Sequence, residues 1–159
     1  MIQVSDAEVC RPIEIGVDCV KFQMRHIEEV YRTRSLQKDG EDLGTEYVLD
    51  LLSRFELSIG EHKALYDYCE KKGIPYLCTP WDLKSLEILE EFGVEAYKVA
   101  SADLTNLPLI DQLLVTKKPL ILSTGMSTSD EIRCTVDFLL EHSKNFVLLH
   151  CNSTYPAPL

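Results

Sequence analysis

Five short apolar runs, each passing into polar residues and mostly separated by helix-patterned stretches, constrain this chain more than any other feature of its sequence. They fall near residues 17–22, 74–79, 96–101, 119–123 and 145–150. Runs this short, rich in β-branched residues or leucine and bounded by turn residues, predict buried parallel strands. The stretches 46–57, 58–72, 82–92, 107–114 and 129–142 predict helices. Local punctuation agrees with that division. Ser58 precedes Glu61 by three residues, a capping-box pattern, and Gly73 supplies the stop. Asp130 and Glu131 carry the charge that a helix amino terminus favours, with Ser127 or Ser129 as its cap. Gly93 closes one helix, and Pro108 falls in the first turn of the next, where proline is tolerated. Strand and helix thus alternate with a period of about 25 residues, the pattern of βα units.

In a barrel of such units the carboxyl ends of the strands share one mouth, where the chemistry resides. The polar residues after the runs therefore form a candidate site, reaching from Lys21 and Gln23 through Thr79, Lys98, Ser101 and Ser123 to the cluster around Ser153 and Tyr155. A closed (β/α)8 barrel needs eight strands and typically about 250 residues. Five strands in 159 residues predict one partial TIM barrel domain over residues 1–159, the middle of a barrel with pieces missing at both ends. Met1 to Ile15 reads as the remainder of a helix that Pro12 kinks or ends. The charged stretch from Met24 to Thr45, with Gly40 and Gly44, reads as a long irregular connection, either a lid over the mouth or a mobile loop.

Charge and composition exclude several classes. The formal charge of −10 disfavours non-specific binding to nucleic acid or anionic lipid, and it requires any anionic substrate to find a local pocket of positive charge. No apolar run approaches the roughly 20 residues of a membrane helix, and the amino terminus has no signal-peptide character. Six cysteines, mostly within apolar runs and without a C-x-x-C pair, read as buried reduced thiols of a cytoplasmic protein. His26, His62 and His142 fall in the charged connection or on helical patterns and read as solvated. His150 ends a strand, where it either faces the mouth or serves a structural role.

Five motifs in order carry a resemblance. Lys-Phe-Gln at 21–23, Cys-Thr-Pro-Trp-Asp at 78–82, Tyr-Lys-Val-Ala-Ser at 97–101 followed by Thr-Asn-Leu-Pro-Leu at 105–109, Leu-Ser-Thr-Gly-Met at 122–126, and His-Cys-Asn-Ser-Thr-Tyr-Pro at 150–156 together resemble the N-acetylneuraminate (sialic acid) synthase family. The resemblance implies a metal-dependent TIM barrel, usually followed by a small antifreeze-like domain and commonly dimeric, and against that pattern the first strand, the last strands and the antifreeze-like domain are expected to be absent from residues 1–159. Such proteins condense phosphoenolpyruvate with N-acetylmannosamine or a related N-acyl amino sugar, in carbohydrate biosynthesis. It places phosphoenolpyruvate on Lys21, Lys98, Ser101 and Ser123, and the sugar or the shared pocket near Gln23, Thr79 and Tyr155. These residue types suit the ligands. Burying a carboxylate and a phosphate demands compensating cations and hydroxyl donors, whereas a sugar is recognised by neutral hydrogen-bonding groups. Thr79 could instead bond local backbone before Pro80, and Tyr155 could pack as an aromatic before Pro156.

The chain departs from the family pattern near its end. Ser153 occupies the place of a frequent asparagine, and Asn152 lies one position earlier, on the opposite face of an extended segment. Ser153 is therefore the expected site residue. The divalent metal, Mn²⁺ or Mg²⁺, is held in the family by histidines beyond the segment corresponding to Leu159, so its ligands are expected to be absent. Glu14-Ile15-Gly16 resembles the family's first-strand signature. It runs straight into the next strand without an intervening helix, and Glu14 is not expected to be catalytic. Two alternatives accompany the synthase reading. One is a class I aldolase with Lys98 or Lys21 as Schiff-base nucleophile. The other is a truncated, non-enzymatic product, and the 159 residues alone are expected to be catalytically silent and marginally stable.

Overall fold

The computed structural model describes residues 16–30, 52–142 and 145–154. Expectations for Met1 to Ile15, including Glu14, for residues 31–51, and for Tyr155 to Leu159 lie outside the described residues. Five strands, β1 (Val20–Met24), β2 (Tyr76–Pro80), β3 (Tyr97–Val99), β4 (Leu120–Ser123) and β5 (Phe146–Leu149), form one sheet in sequential order. Every neighbouring pair is parallel. Between them run α1 (Ile27–Val30), α2 (Ile59–Lys72), α3 (Leu83–Phe92), α4 (Leu107–Val115) and α5 (Ser129–His142), with a 3-10 turn at Ser101–Asp103. Residues 52–55 are also helical. The architecture is the βα alternation of a TIM-type barrel.

Alternation along the strands separates core from site. On one face Tyr76, Cys78, Tyr97, Val99, Leu120 and Leu122 are buried. Leu65 and Cys69 of α2, Leu86 and Leu89 of α3, Leu109, Ile110 and Leu113 of α4, and Leu139 of α5 belong to the same core. Because side chains alternate with period two, Lys21, Gln23, Thr79, Lys98 and Ser123 are carried on the other face. Register fixes their relative heights. Lys21 pairs with Leu77, Gln23 with Thr79, Lys98 with Ile121, and Ser123 with Leu149.

Helix ends follow local chemistry. The Ser58–Glu61 capping box forms in full, and Gly73 ends α2 at φ 69°, a left-handed conformation that costs glycine little. Asp82 caps α3 by accepting from the Ser85 backbone N–H at 2.7 Å. Asn106 caps α4. At α5 the cap is Thr128, and neither Ser127 nor Ser129 serves. Thr128 and Glu131 exchange reciprocal bonds, Thr128 N–H to Glu131 Oε2 at 2.7 Å and Glu131 N–H to Thr128 Oγ1 at 3.3 Å. The same T-x-x-E spacing was open to reading in the sequence.

Three further expectations are corrected. The connection that reads as irregular from Met24 begins inside β1 and continues into the short helix α1. His62 is buried at 1% exposure, not solvated, because its position on α2 turns it onto β2. There its Nδ1 shares a 2.7 Å hydrogen bond with the Tyr76 hydroxyl, beside Phe22, whose ring stacks on Tyr76 at 5.0 Å. His26 is half-buried and bonded to Asp82 and Ser85. Cys69 and Cys78 are buried as expected, whereas Cys19 and Cys134 are exposed. Among the described residues no helix is long and apolar enough to cross a membrane.

Candidate active site

The carboxyl ends of the strands open on one cavity of about 350 Å³. Seven of the eight sequence-predicted residues line it together: Lys21 and Gln23 from β1, Thr79 from β2, Lys98 from β3, Ser101 from the 3-10 turn, Ser123 from β4, and Ser153 beyond β5. The eighth, Tyr155, lies outside the described residues. Trp81, Ala100, Ala102 and Met126 complete the lining.

Lys98 is the electrostatic centre. It is only 8% exposed, and its ammonium donates to Ser123 Oγ at 2.5 Å and to the Val99 carbonyl at 2.6 Å. Among the described residues no carboxylate pairs with it. Burial holds its pKa below the usual lysine range; the Cys151 thiol opposes that shift, and the like charge of Lys21 adds to it. A buried cation satisfied only by neutral oxygens is costly, and an anion in the cavity would offset the cost. In a chain of formal charge −10, Lys21 and Lys98 are the local positive pocket that an anionic ligand needs.

The hydroxyls are set by backbone geometry. Ser101 Oγ accepts the Gly125 N–H at 3.2 Å, which leaves its own O–H available to a ligand. Cys151 Sγ lies 3.3 Å from Ser123 Oγ, so Ser123 joins the ends of β3, β4 and β5. Thr79 is buried within β2, and among the described residues its hydroxyl makes no bond to local backbone, the alternative its position before Pro80 allowed. Asn152 Oδ1 accepts the Thr154 N–H at 3.2 Å in a local turn, while Ser153 lines the cavity. Gly125 permits this close approach. A Cβ there would lie 2.9 Å from Ser153 Oγ and 3.1 Å from the Cys151 carbonyl oxygen.

Some contributors were missed in the sequence. Trp81 stood inside a quoted motif, but nothing in its type separated a cavity wall from a packed ring. Cys151 follows from alternation, two residues beyond Leu149, which pairs with Ser123. Asp82 is committed to structure. Its Oδ2 accepts the His26 backbone N–H at 2.7 Å, and its Oδ1 caps α3 and lies 3.1 Å from His26 Nδ1. His150 is exposed. Among the described residues no three of His, Cys, Asp and Glu converge as a metal site, so they do not fit the divalent metal that the resemblance implies.

A family model described as the NeuB family matches residues 9–159. An uncharacterised protein of Methanocaldococcus jannaschii is 40% identical over 156 residues, covering 98% of this chain and 42% of that protein. The N,N'-diacetyllegionaminic acid synthase of Campylobacter jejuni is 35% identical over 150 residues, covering 90% of this chain and 45% of that enzyme. The crystal structure of N-acetylneuraminic acid (sialic acid) synthetase from Leptospira borgpetersenii serovar Hardjo-bovis in complex with citrate superposes with a TM-score of 0.77 at 28% identity, over 91% of this chain and 47% of that one. The chain thus spans less than half the length of each of these relatives.

Proposed function

The chain belongs to the NeuB family, and from that premise we propose that its cavity serves the condensation of phosphoenolpyruvate with an N-acyl amino sugar, yielding a nonulosonic acid. One observation carries the reading: Lys98 is a buried ammonium without a carboxylate partner among the described residues, at the strand ends of a parallel sheet, in a cavity shared with a second lysine and four hydroxyls. The enolpyruvate carboxylate and phosphate supply the missing counter-charge, and Lys21, Lys98, Ser101 and Ser123 are the groups that bind them. Thr79 adds a neutral donor or acceptor. Gln23 and Ser153, which also line the cavity, are left to meet the sugar in this reading. The chemistry joins the methylene carbon of phosphoenolpyruvate to the aldehyde carbon of the amino sugar, which becomes a hydroxyl-bearing carbon, while water adds at the phosphate-bearing carbon and the C–O bond to phosphate breaks, releasing inorganic phosphate and leaving the 2-keto acid. The protein's part is to hold both carbons within reach and to balance the anion.

The sugar is N-acetylmannosamine or a diacetylated relative in this reading, which also carries a divalent metal, a homodimer and, because phosphoenolpyruvate is cytosolic, a cytoplasmic location. None of these rests on a described residue, and no step here is routed through the metal. Calorimetric titration of phosphoenolpyruvate into the protein and into Lys98→Ala tests the pocket. Loss of charge-assisted bonds worth about 1.5–3 kcal/mol should weaken binding roughly ten- to hundred-fold. Equal affinity in both proteins removes Lys98 from the site. The low Lys98 pKa also suits a Schiff-base aldolase, which borohydride trapping with pyruvate would reveal as a mass increase on the peptide containing Lys98.

A further inference from the structure

We infer that Trp81 and Arg25 are positioning residues that hold Gln23 as an obligate hydrogen-bond donor, so that the group read at this end of the cavity is an acceptor oxygen of the sugar. The inference rests on the reading above and concerns which atoms of the ligand Gln23 donates to. Gln23 Oε1 takes two donors, the Trp81 indole Nε1–H at 2.9 Å and Arg25 Nη2 at 2.9 Å. A carboxamide oxygen has two lone pairs, and both are used. The two donors brace one another, since the Arg25 guanidinium carbon lies 4.5 Å from the centroid of the Trp81 ring. Turning the amide over would set its NH2 group against two donors, so one orientation is enforced.

The consequence falls on Nε2. Among the described residues it has no partner, and Gln23 lines the cavity. Gln23 is exposed, so solvent satisfies its Nε2 donors in the empty protein and a ligand acceptor can take the place of water, while its own acceptor is already consumed. The clamp itself is well anchored. The Trp81 backbone N–H donates to the Met24 carbonyl at 3.0 Å, tying the ends of β1 and β2 together. Next to it, Asp82 accepts the His26 backbone N–H at 2.7 Å. A neutral acceptor, the N-acyl carbonyl or a hydroxyl oxygen, therefore fits Gln23, and a group that can only donate does not.

Trp81 is the chain's one tryptophan, so its indole N–H gives a single resonance in ¹⁵N-edited spectra. In Gln23→Leu that proton should exchange faster with solvent and its resonance should move. Titrations with N-acetylmannosamine and, separately, with phosphoenolpyruvate then read the ligand side. Trp81→Phe keeps the ring and removes the donor; it should weaken the sugar about five- to tenfold, the size of one lost hydrogen bond, and change phosphoenolpyruvate affinity by less than about twofold. Gln23→Glu keeps an acceptor for both clamping groups but presents no donor. It should lose at least as much sugar affinity while the indole proton stays protected. An unchanged indole resonance in Gln23→Leu overturns the inference, as does unchanged sugar affinity in Trp81→Phe, and phosphoenolpyruvate binding in the same samples then leaves the proposed function standing. A protein that binds neither ligand ends both.

Discussion

At the scale of single residues, His62 shows how position overrides type. Histidine on a charged helix reads as solvated, yet its place on α2 puts it against Tyr76 and Phe22, where burial lowers its pKa from 6.5 to about 4. The unfolded chain takes up a proton near pH 6.5 and the folded protein does not until about pH 4. Stability is therefore full above pH 6.5 and falls as the pH drops toward 4, by up to about 3 kcal/mol. Denaturant titrations of the protein and of His62→Gln, which keeps a partner for Tyr76 without titrating in this range, should diverge in that window, the variant losing less stability on acidification. Parallel curves would show that His62 is not the group responsible. The lysines and serines of the cavity were legible because each follows an apolar run on the inward register. His62 and Trp81 were not, because their roles depend on a neighbouring element whose contact no local pattern encodes, and Cys151 needed the β4–β5 register before alternation could place it.

Among the described residues, strands and helices appear where their signals stood, with boundaries shifted by a few residues, whereas the expected helix over 46–57 is described only at 52–55. Val17 to Cys19 read as strand but precede β1, and β3 is only three residues long where a six-residue run was expected. Apolarity marks a segment as buried, whereas pairing with both neighbours decides which residues are strand. Two caps that look alike in sequence differ in what they hold. The Ser58 hydroxyl closes an exposed helix end, and Ser58→Ala should cost about 1 kcal/mol in urea unfolding. Asp82 caps α3 and also receives His26 and the Ser85 hydroxyl, so Asp82→Ala should cost at least about twice as much and loosen the β1–β2 corner. Equal losses for the two variants would show that the His26 contacts add nothing. The loop after β4 carries a steric requirement of the same kind. Gly125→Ala drives a methyl toward Ser153 and the Cys151 carbonyl, and should destabilise by about 1–3 kcal/mol while displacing Ser153 from the cavity, which a crystal structure of the variant would show.

For the molecule as a whole, the sheet order gives β2, β3 and β4 two partners each, whereas among the described residues β1 and β5 have one. Val147, Leu148 and Leu149 of β5 are exposed, while β3 is wholly buried. Native-state hydrogen exchange should accordingly find its slowest amides in β3 and β4 and faster ones in β1 and β5. Uniform protection across the five strands would contradict that gradient. The uncompensated ammonium of Lys98 has a consequence at this scale too. Because its folded pKa lies below the unfolded value, the free protein is penalised at neutral pH, and the penalty eases as pH rises toward 10.5. Lys98→Met should therefore melt at a higher temperature than the unliganded parent and gain less from a given concentration of phosphoenolpyruvate, whereas the parent should be raised by the ligand in proportion to its occupancy. In the proposed function the charge that would hold the ligand is the same charge that weakens the empty protein, a trade of robustness for occupancy.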